Sequence, residues 1–141
     1  MDYKQFQNSV YQNAAMGITA LKAMIPKVSD SNVKNLLIKQ YNGYKAQTEI
    51  TAGQMKQHNL TPEEPPLMSR LMTSASVTYR MKRDSSAGNA AKMVIKGTNT
   101  GILELTEKLN HTSCGSPEAI QSAKEYLRRE QKNIESLKPY L

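Results

Sequence analysis

Apolar residues recur every three or four positions through four long stretches of this chain. The residues that interrupt those stripes are Gly, Thr, Asn and Tyr, and almost never a carboxylate. A three-to-four repeat gathers side chains on one face of a helix, and such faces leave water by packing on one another. Strand signals are nearly absent, because no run of Val, Ile, Thr and aromatics alternates with polar residues between turn signals. The expectation is an all-α protein, and at 141 residues a single domain, 1–141.

Proline and capping residues punctuate the stripes. The first helix is expected over about 3–25, with Tyr3, Phe6, Val10, Ala14, Gly17, Leu21 and Ile25 on its stripe, and Pro26 ending it. Ser29-Asp30-Ser31 supplies caps for a second helix over about 31–57. Its stripe is read as Val33, Leu37, Tyr41, Tyr44, Thr48, Ala52 and Met55. Pro62, Pro65 and Pro66 then forbid continuation. A shorter helix is expected over about 67–82, followed by Asp84-Ser85-Ser86 and a long helix over about 86–110; the junction at Gly88 leaves open a single kinked helix. Ser116 and Pro117 are a cap and a first helical residue, opening a last helix over about 117–137.

A short loop joins helices one and two, and another joins the last two; a connection of some 25 residues with its own short helix lies between. Short loops make antiparallel neighbours, and one long crossover between two hairpins is the connectivity of a ferritin-like four-helix bundle.

Bundles of that kind that hold two metal ions place a Glu on each of two helices and Glu-x-x-His on the other two. The first helix has no Glu, Glu49 lies beside its stripe, and Glu130-Gln131-Lys132-Asn133 has Asn where His is needed. Only Glu130 is expected to face inward, so no di-metal site and no cofactor are expected. Glu104, Glu107 and His111 share a helical face as weak candidates for a single metal ion. A charged outer face with a histidine near the helix C-terminus is the plainer reading. Cys114 cannot make an internal disulfide and is read as an incidental loop thiol; with His111 it lacks the third group that would orient a base.

Gly97-Thr98-Asn99-Thr100-Gly101 is unusual inside a helix, since each glycine costs about 1 kcal/mol relative to alanine. Two compensations are open: close helix packing against Gly17, or a small ligand cavity lined by Thr98, Asn99 and tyrosines. Arg80, Lys82 and Arg83 before the Ser85-Ser86 cap form an anion-binding candidate, against the plainer reading of a solvated basic surface.

Net charge is +7, but it is spread: seven Lys against three acids in 1–59, four bases against three acids in 60–86, eight against six in 87–141. That is not the concentrated basic stripe of a nucleic-acid binder, and nucleic acid is not expected as a partner. No stretch nears the roughly 18 apolar residues of a membrane helix, nor is there an apolar signal core, so no membrane is expected and a cytoplasmic protein is the default. Methionines Met68, Met72 and Met81 on the crossover helix are read as an apolar face for a second protomer.

The run Ala91-Lys92-Met93-Val94-Ile95-Lys96-Gly97-Thr98-Asn99-Thr100-Gly101-Ile102-Leu103-Glu104-Leu105-Thr106 resembles the signature helix of a family of small, uncharacterised bacterial proteins in the ferritin-like superfamily. The ending Arg129–Leu141 and the early Met16-Gly17-Ile18 and Ile25-Pro26-Lys27-Val28 are similar to that family as well. The resemblance implies the bundle and carries no catalytic residues. The functional expectation is a non-enzymatic structural or protein-binding scaffold that self-associates. The alternatives are a degenerate metal-binding protein and a binder of an acidic partner or a small ligand.

Overall fold

Asp2 starts the first helix with a reciprocal cap: its carboxylate accepts from the Gln5 amide at 2.8 Å, and the Gln5 side chain accepts from the Asp2 amide at 3.0 Å. The computed structural model describes residues 1–141 and is all-helical, with five helices and no strand. Helix α1 spans Tyr3–Met24 and tightens into a 3-10 turn, Ile25–Lys27, where Pro26 removes an amide donor. Helix α2, Ser31–Gln57, is capped by the Asp30 carboxylate on the Val33 amide at 2.9 Å.

The end of α2 is a Schellman motif. Asn59 sits at φ 58, Leu60 donates to the Met55 carbonyl at 2.9 Å, and Asn59 donates to the Lys56 carbonyl at 3.0 Å. The polar linker that follows is tied to α1. Glu63 donates its amide to Asn8 and accepts from Gln12, and the Tyr11 hydroxyl donates to the Glu64 carboxylate. That bond to a carboxylate, with partial burial and the Glu64 charge behind it, pushes the Tyr11 hydroxyl up to about 12.

Helix α3 covers Leu67–Arg83 and helix α4 covers Ala87–His111. They are separate helices, because Asp84 is extended (φ −151, ψ 100) and Ser86 caps α4 on the Asn89 amide. Helix α5, Pro117–Leu137, begins at the Ser116 cap and ends in a 3-10 turn, Lys138–Tyr140.

Helices α1 and α2 pack along each other, as do α4 and α5, and the two pairs meet through α1 on α4 and α2 on α5. Phe6, Val10, Leu37, Leu105 and Tyr126 are among the side chains sealed between them. Helix α3 stands apart: it packs on α1 and the turn after it, and not along α4. Only Val77 and Met81 of α3 are buried. Met81 is 1% exposed and belongs to the core, so it is not part of an outer apolar face as expected from sequence. Leu67, Met68, Leu71 and Met72 are each more than half exposed.

The inner edge of α2 also differs from its expected stripe. Val33, Leu37, Gln40, Tyr44, Gln47, Thr51 and Gln54 are buried, while Thr48 and Ala52 are only half-buried. No helix is long and apolar enough to cross a membrane.

Candidate functional site

The four long helices close around a polar centre. From α5, Glu130 is 4% exposed, and its Oε2 accepts from Asn133 Nδ2 on the next turn at 2.9 Å. From α2, Gln40 Nε2 reaches the Tyr44 hydroxyl at 2.7 Å, Thr98 Oγ1 of α4 at 3.0 Å and Glu130 Oε2 at 3.4 Å. From α1, Asn13 accepts from the Tyr126 hydroxyl at 2.6 Å and donates to the Gly101 carbonyl of α4 at 3.0 Å. The Tyr44 and Tyr126 rings meet edge to face, with centroids 6.3 Å apart. No buried side-chain polar atom is left without a partner.

Two glycines make room for this arrangement. A methyl group on Gly17 would lie within 2.7 Å of three Tyr44 ring carbons, so the bare backbone of α1 is the seat of that ring. A methyl group on Gly101 would lie 3.1 Å from the Asn13 amide nitrogen. The expected approach of Gly17 to Gly97–Gly101 is therefore replaced by two glycine-to-side-chain contacts. Gly97 is exposed, a methyl group there would touch nothing within 4 Å, and Asn99 also faces outward. Packing gives no reason for Gly97.

Burial pushes the Glu130 carboxyl above the usual glutamate value of 4.5, opposed by the neighbouring Tyr44 hydroxyl and the hydrogen bond from Asn133. Burial also pushes the Tyr44 and Tyr126 hydroxyls up, and the Glu130 charge adds to both. A raised carboxyl means that the native state holds the proton more tightly than the unfolded chain. Its contribution to stability is then complete below pH 4.5 and is lost as pH rises through the native value. Thermal unfolding of Glu130→Gln and the parent across pH 4–9 checks this: the variant should gain on the parent as pH rises, and a constant difference would contradict it.

One face of this polar centre is open. Between α3 and α4, over α1, runs a cleft of about 820 Å³ whose floor includes Gln40, Tyr44, Thr98 and Glu130. Met16, Met24, Leu21 and Met93 form apolar walls, Gly17, Gly97 and Gly101 leave them low, and Arg80, Lys96, Glu104 and Lys108 stand at exposed positions on the rim. Its volume lies in the range typical of small-molecule sites. Comparison of the chain with family models, with curated proteins and with solved structures gave no match.

The residues singled out from sequence divide clearly. Gly17, Gly97, Thr98, Gly101 and Glu130 all border this cleft, and Asn99 does not. Glu104, Glu107 and His111 are exposed on α4, and of the three only Glu104 borders the cleft, at its rim. No three His, Cys, Asp or Glu side chains anywhere come close enough together to share a metal ion.

The three basic residues have different surroundings, with Lys82 exposed in the last turn of α3. Arg80 borders the cleft, while Arg83 bonds to the Tyr79 hydroxyl and lies over its ring. The Ser86 amide is already taken by the Asp84 carboxylate at 3.0 Å, and Asn89 fills the cap with bonds to Asp84 and Ser86. Sequence reasoning missed Asn13, Gln40 and Tyr126. Gln40 carries a usable signal, since Val33, Leu37, Gln40, Tyr44, Gln47, Thr51 and Gln54 alternate four- and three-residue steps without a break.

Proposed function

We propose that this chain is a non-enzymatic binding protein on a ferritin-like four-helix frame, and that it holds a small amphipathic ligand in the cleft between α3 and α4. The frame is supported by the two helix pairs, the connection between them that carries α3, and the contacts of α1 with α4 and α2 with α5. The resemblance of residues 91–106 and 129–141 to small bacterial proteins of that superfamily points the same way. The observation that carries the binding reading is the cleft itself: methionine walls descending to the buried Gln40, Tyr44, Thr98 and Glu130. Flexible thioether side chains adapt to varied apolar shapes, and a few fixed polar groups at one end orient the bound molecule.

Gly97 makes the test sharp. A residue whose added methyl touches nothing should prefer alanine, and Gly97→Ala is expected to stabilise the fold by about 1 kcal/mol. Gly97→Leu should keep that gain and place a branched side chain in the cleft. The probe is an environment-sensitive apolar dye, with binding followed through the methyl resonances of Met16, Met24 and Met93. Dye binding should shift those methyls in the parent and weaken in Gly97→Leu. Shifts elsewhere, or full binding by the leucine variant, would reject the reading.

A second reading, self-association, is favoured by the apolar face of α3. Leu67, Met68, Leu71 and Met72 are exposed together, beyond the scattered apolar residues of an ordinary surface. Light scattering of the parent and of Leu71→Glu is the check. A dimer that becomes a monomer in the variant supports it, and a parent that stays monomeric at high concentration removes it.

A further inference from the structure

Glu130 accepts two hydrogen bonds on Oε2 and has no counter-charge. Its hydrogen-bond donors are the side-chain amides of Asn133 and Gln40, and the hydroxyls of Tyr44 and Tyr126 stand beside it, all neutral. The ion pairs of the whole molecule are Lys4 with Glu63 and Lys138 with Glu135, both on the surface. Arg129, the cation whose charge acts on Glu130, turns its guanidinium to Gln47 Oε1 at 2.9 Å instead. A carboxylate taken from water without a cation keeps a large desolvation penalty, even when neutral donors surround it.

The groups facing Glu130 are few. Helix α2 presents Tyr44 and the neutral Gln40, α5 presents Tyr126, Arg129 and the neutral Asn133, and α4 presents the neutral Thr98. Arg80 from α3 and Lys96, Glu104 and Lys108 from α4 border the same cleft, but at exposed rim positions. At the floor, under the apolar walls, no cation pairs with the carboxylate.

We infer that the cleft takes a protonated primary or secondary amine carried on an apolar body, with the ammonium group against the Glu130 carboxylate and the body between Met16, Met24 and Met93. The inference rests on the proposed cleft-binding function and adds the head group. An ammonium is donor-only and supplies the absent charge. It also finds the Tyr44 and Thr98 oxygens beside the carboxylate on the cleft floor. A ligand carboxylate would meet like charge there. An alcohol of the same shape would gain the walls but leave the charge uncompensated. The difference between a charge-assisted and a neutral hydrogen bond corresponds to about tenfold in affinity.

The experiment compares phenethylamine and n-hexylamine with phenethyl alcohol, n-hexanol and hexanoate on the intact chain. Calorimetry gives affinities, and the Met16, Met24 and Met93 methyl resonances give the place. The amines should bind about tenfold or more tightly than their alcohols, and Glu130→Gln should bring that ratio close to one.

A second measurement needs no variant. Because burial raises the Glu130 carboxyl, amine binding at mildly acidic pH should release a proton, seen as a dependence of the observed heat on buffer ionisation enthalpy. Alcohol binding should release none. Equal affinity for amine and alcohol, tighter binding of hexanoate, or no proton release with amine would overturn the head-group assignment while leaving the cleft as an apolar site. Failure of every compound to move the three methionine methyls would overturn both.

Discussion

Gly17→Val should be the most damaging single substitution of a small residue in this protein. Even a methyl at that position lies within 2.7 Å of three Tyr44 ring carbons, and the ring cannot retreat freely. Tyr44 is 5% exposed, its hydroxyl accepts from Gln40 at 2.7 Å, and its edge meets the Tyr126 ring. Overpacking a filled core costs typically 1–3 kcal/mol. Gly17→Ala, relieved in part by the helix propensity that alanine restores, should lose about 1–2 kcal/mol. Gly17→Val lacks that relief and should lose about 3 kcal/mol or more. Chemical denaturation of both variants measures this, and a Gly17→Ala protein as stable as the parent would show that the ring has somewhere to go. The double variant Gly17→Ala, Tyr44→Leu should recover part of the loss, which separates the clash from a general intolerance of α1.

Tyr126→Ala should cost about 3–5 kcal/mol, the range for removing a large buried aromatic. Tyr126 is 1% exposed, is among the largest fully buried side chains, and joins α5 to α1 through its 2.6 Å bond to Asn13. Tyr126→Phe isolates the hydroxyl. The ring remains, but Asn13 Oδ1 loses its donor and Glu130 loses a neighbouring hydroxyl, so about 1–2 kcal/mol should be lost. Pairing Tyr126→Phe with Asn13→Ala in a double-mutant cycle should give a coupling of about 0.5–1.5 kcal/mol. A Phe variant as damaging as the Ala variant would mean that the hydroxyl, not the ring, dominates.

Much of the fold is legible in the sequence because helix ends are written in local chemistry. Asp30, Ser86, Ser116 with Pro117, and Pro26 each act on their own neighbouring amides, and each marks an observed boundary within a residue or so. The interior is harder to read. Gln40, Gln47, Thr51 and Gln54 are core residues by position and polar by type, so a hydrophobic stripe drawn through α2 drifts to Thr48 and Ala52. The four-three spacing from Val33 to Gln54 locates that seam better than hydropathy does.

Helix α3 is legible only in its first half. Met68 and Met72 are exposed, as read from sequence, but Met81, read as part of the same outer face, is buried with Val77 as the helix's anchor. Its position depends on how α1 is oriented, and no local pattern encodes that. The cleft is likewise a relation between α1, α3 and α4. Its one local trace is the pair Gly97 and Gly101, two poor helix formers kept where a wall would otherwise stand.

The separate footing of α3 also sets the order in which the molecule comes apart. A helix of 17 residues that commits only two of them to the core is a cooperative unit of its own, opening at a smaller free energy than the four helices beneath it. Its amides should exchange with deuterium well ahead of those in α1, α2, α4 and α5. On the proposed binding function, occupancy of the cleft should slow exchange along α3 before it slows exchange anywhere else.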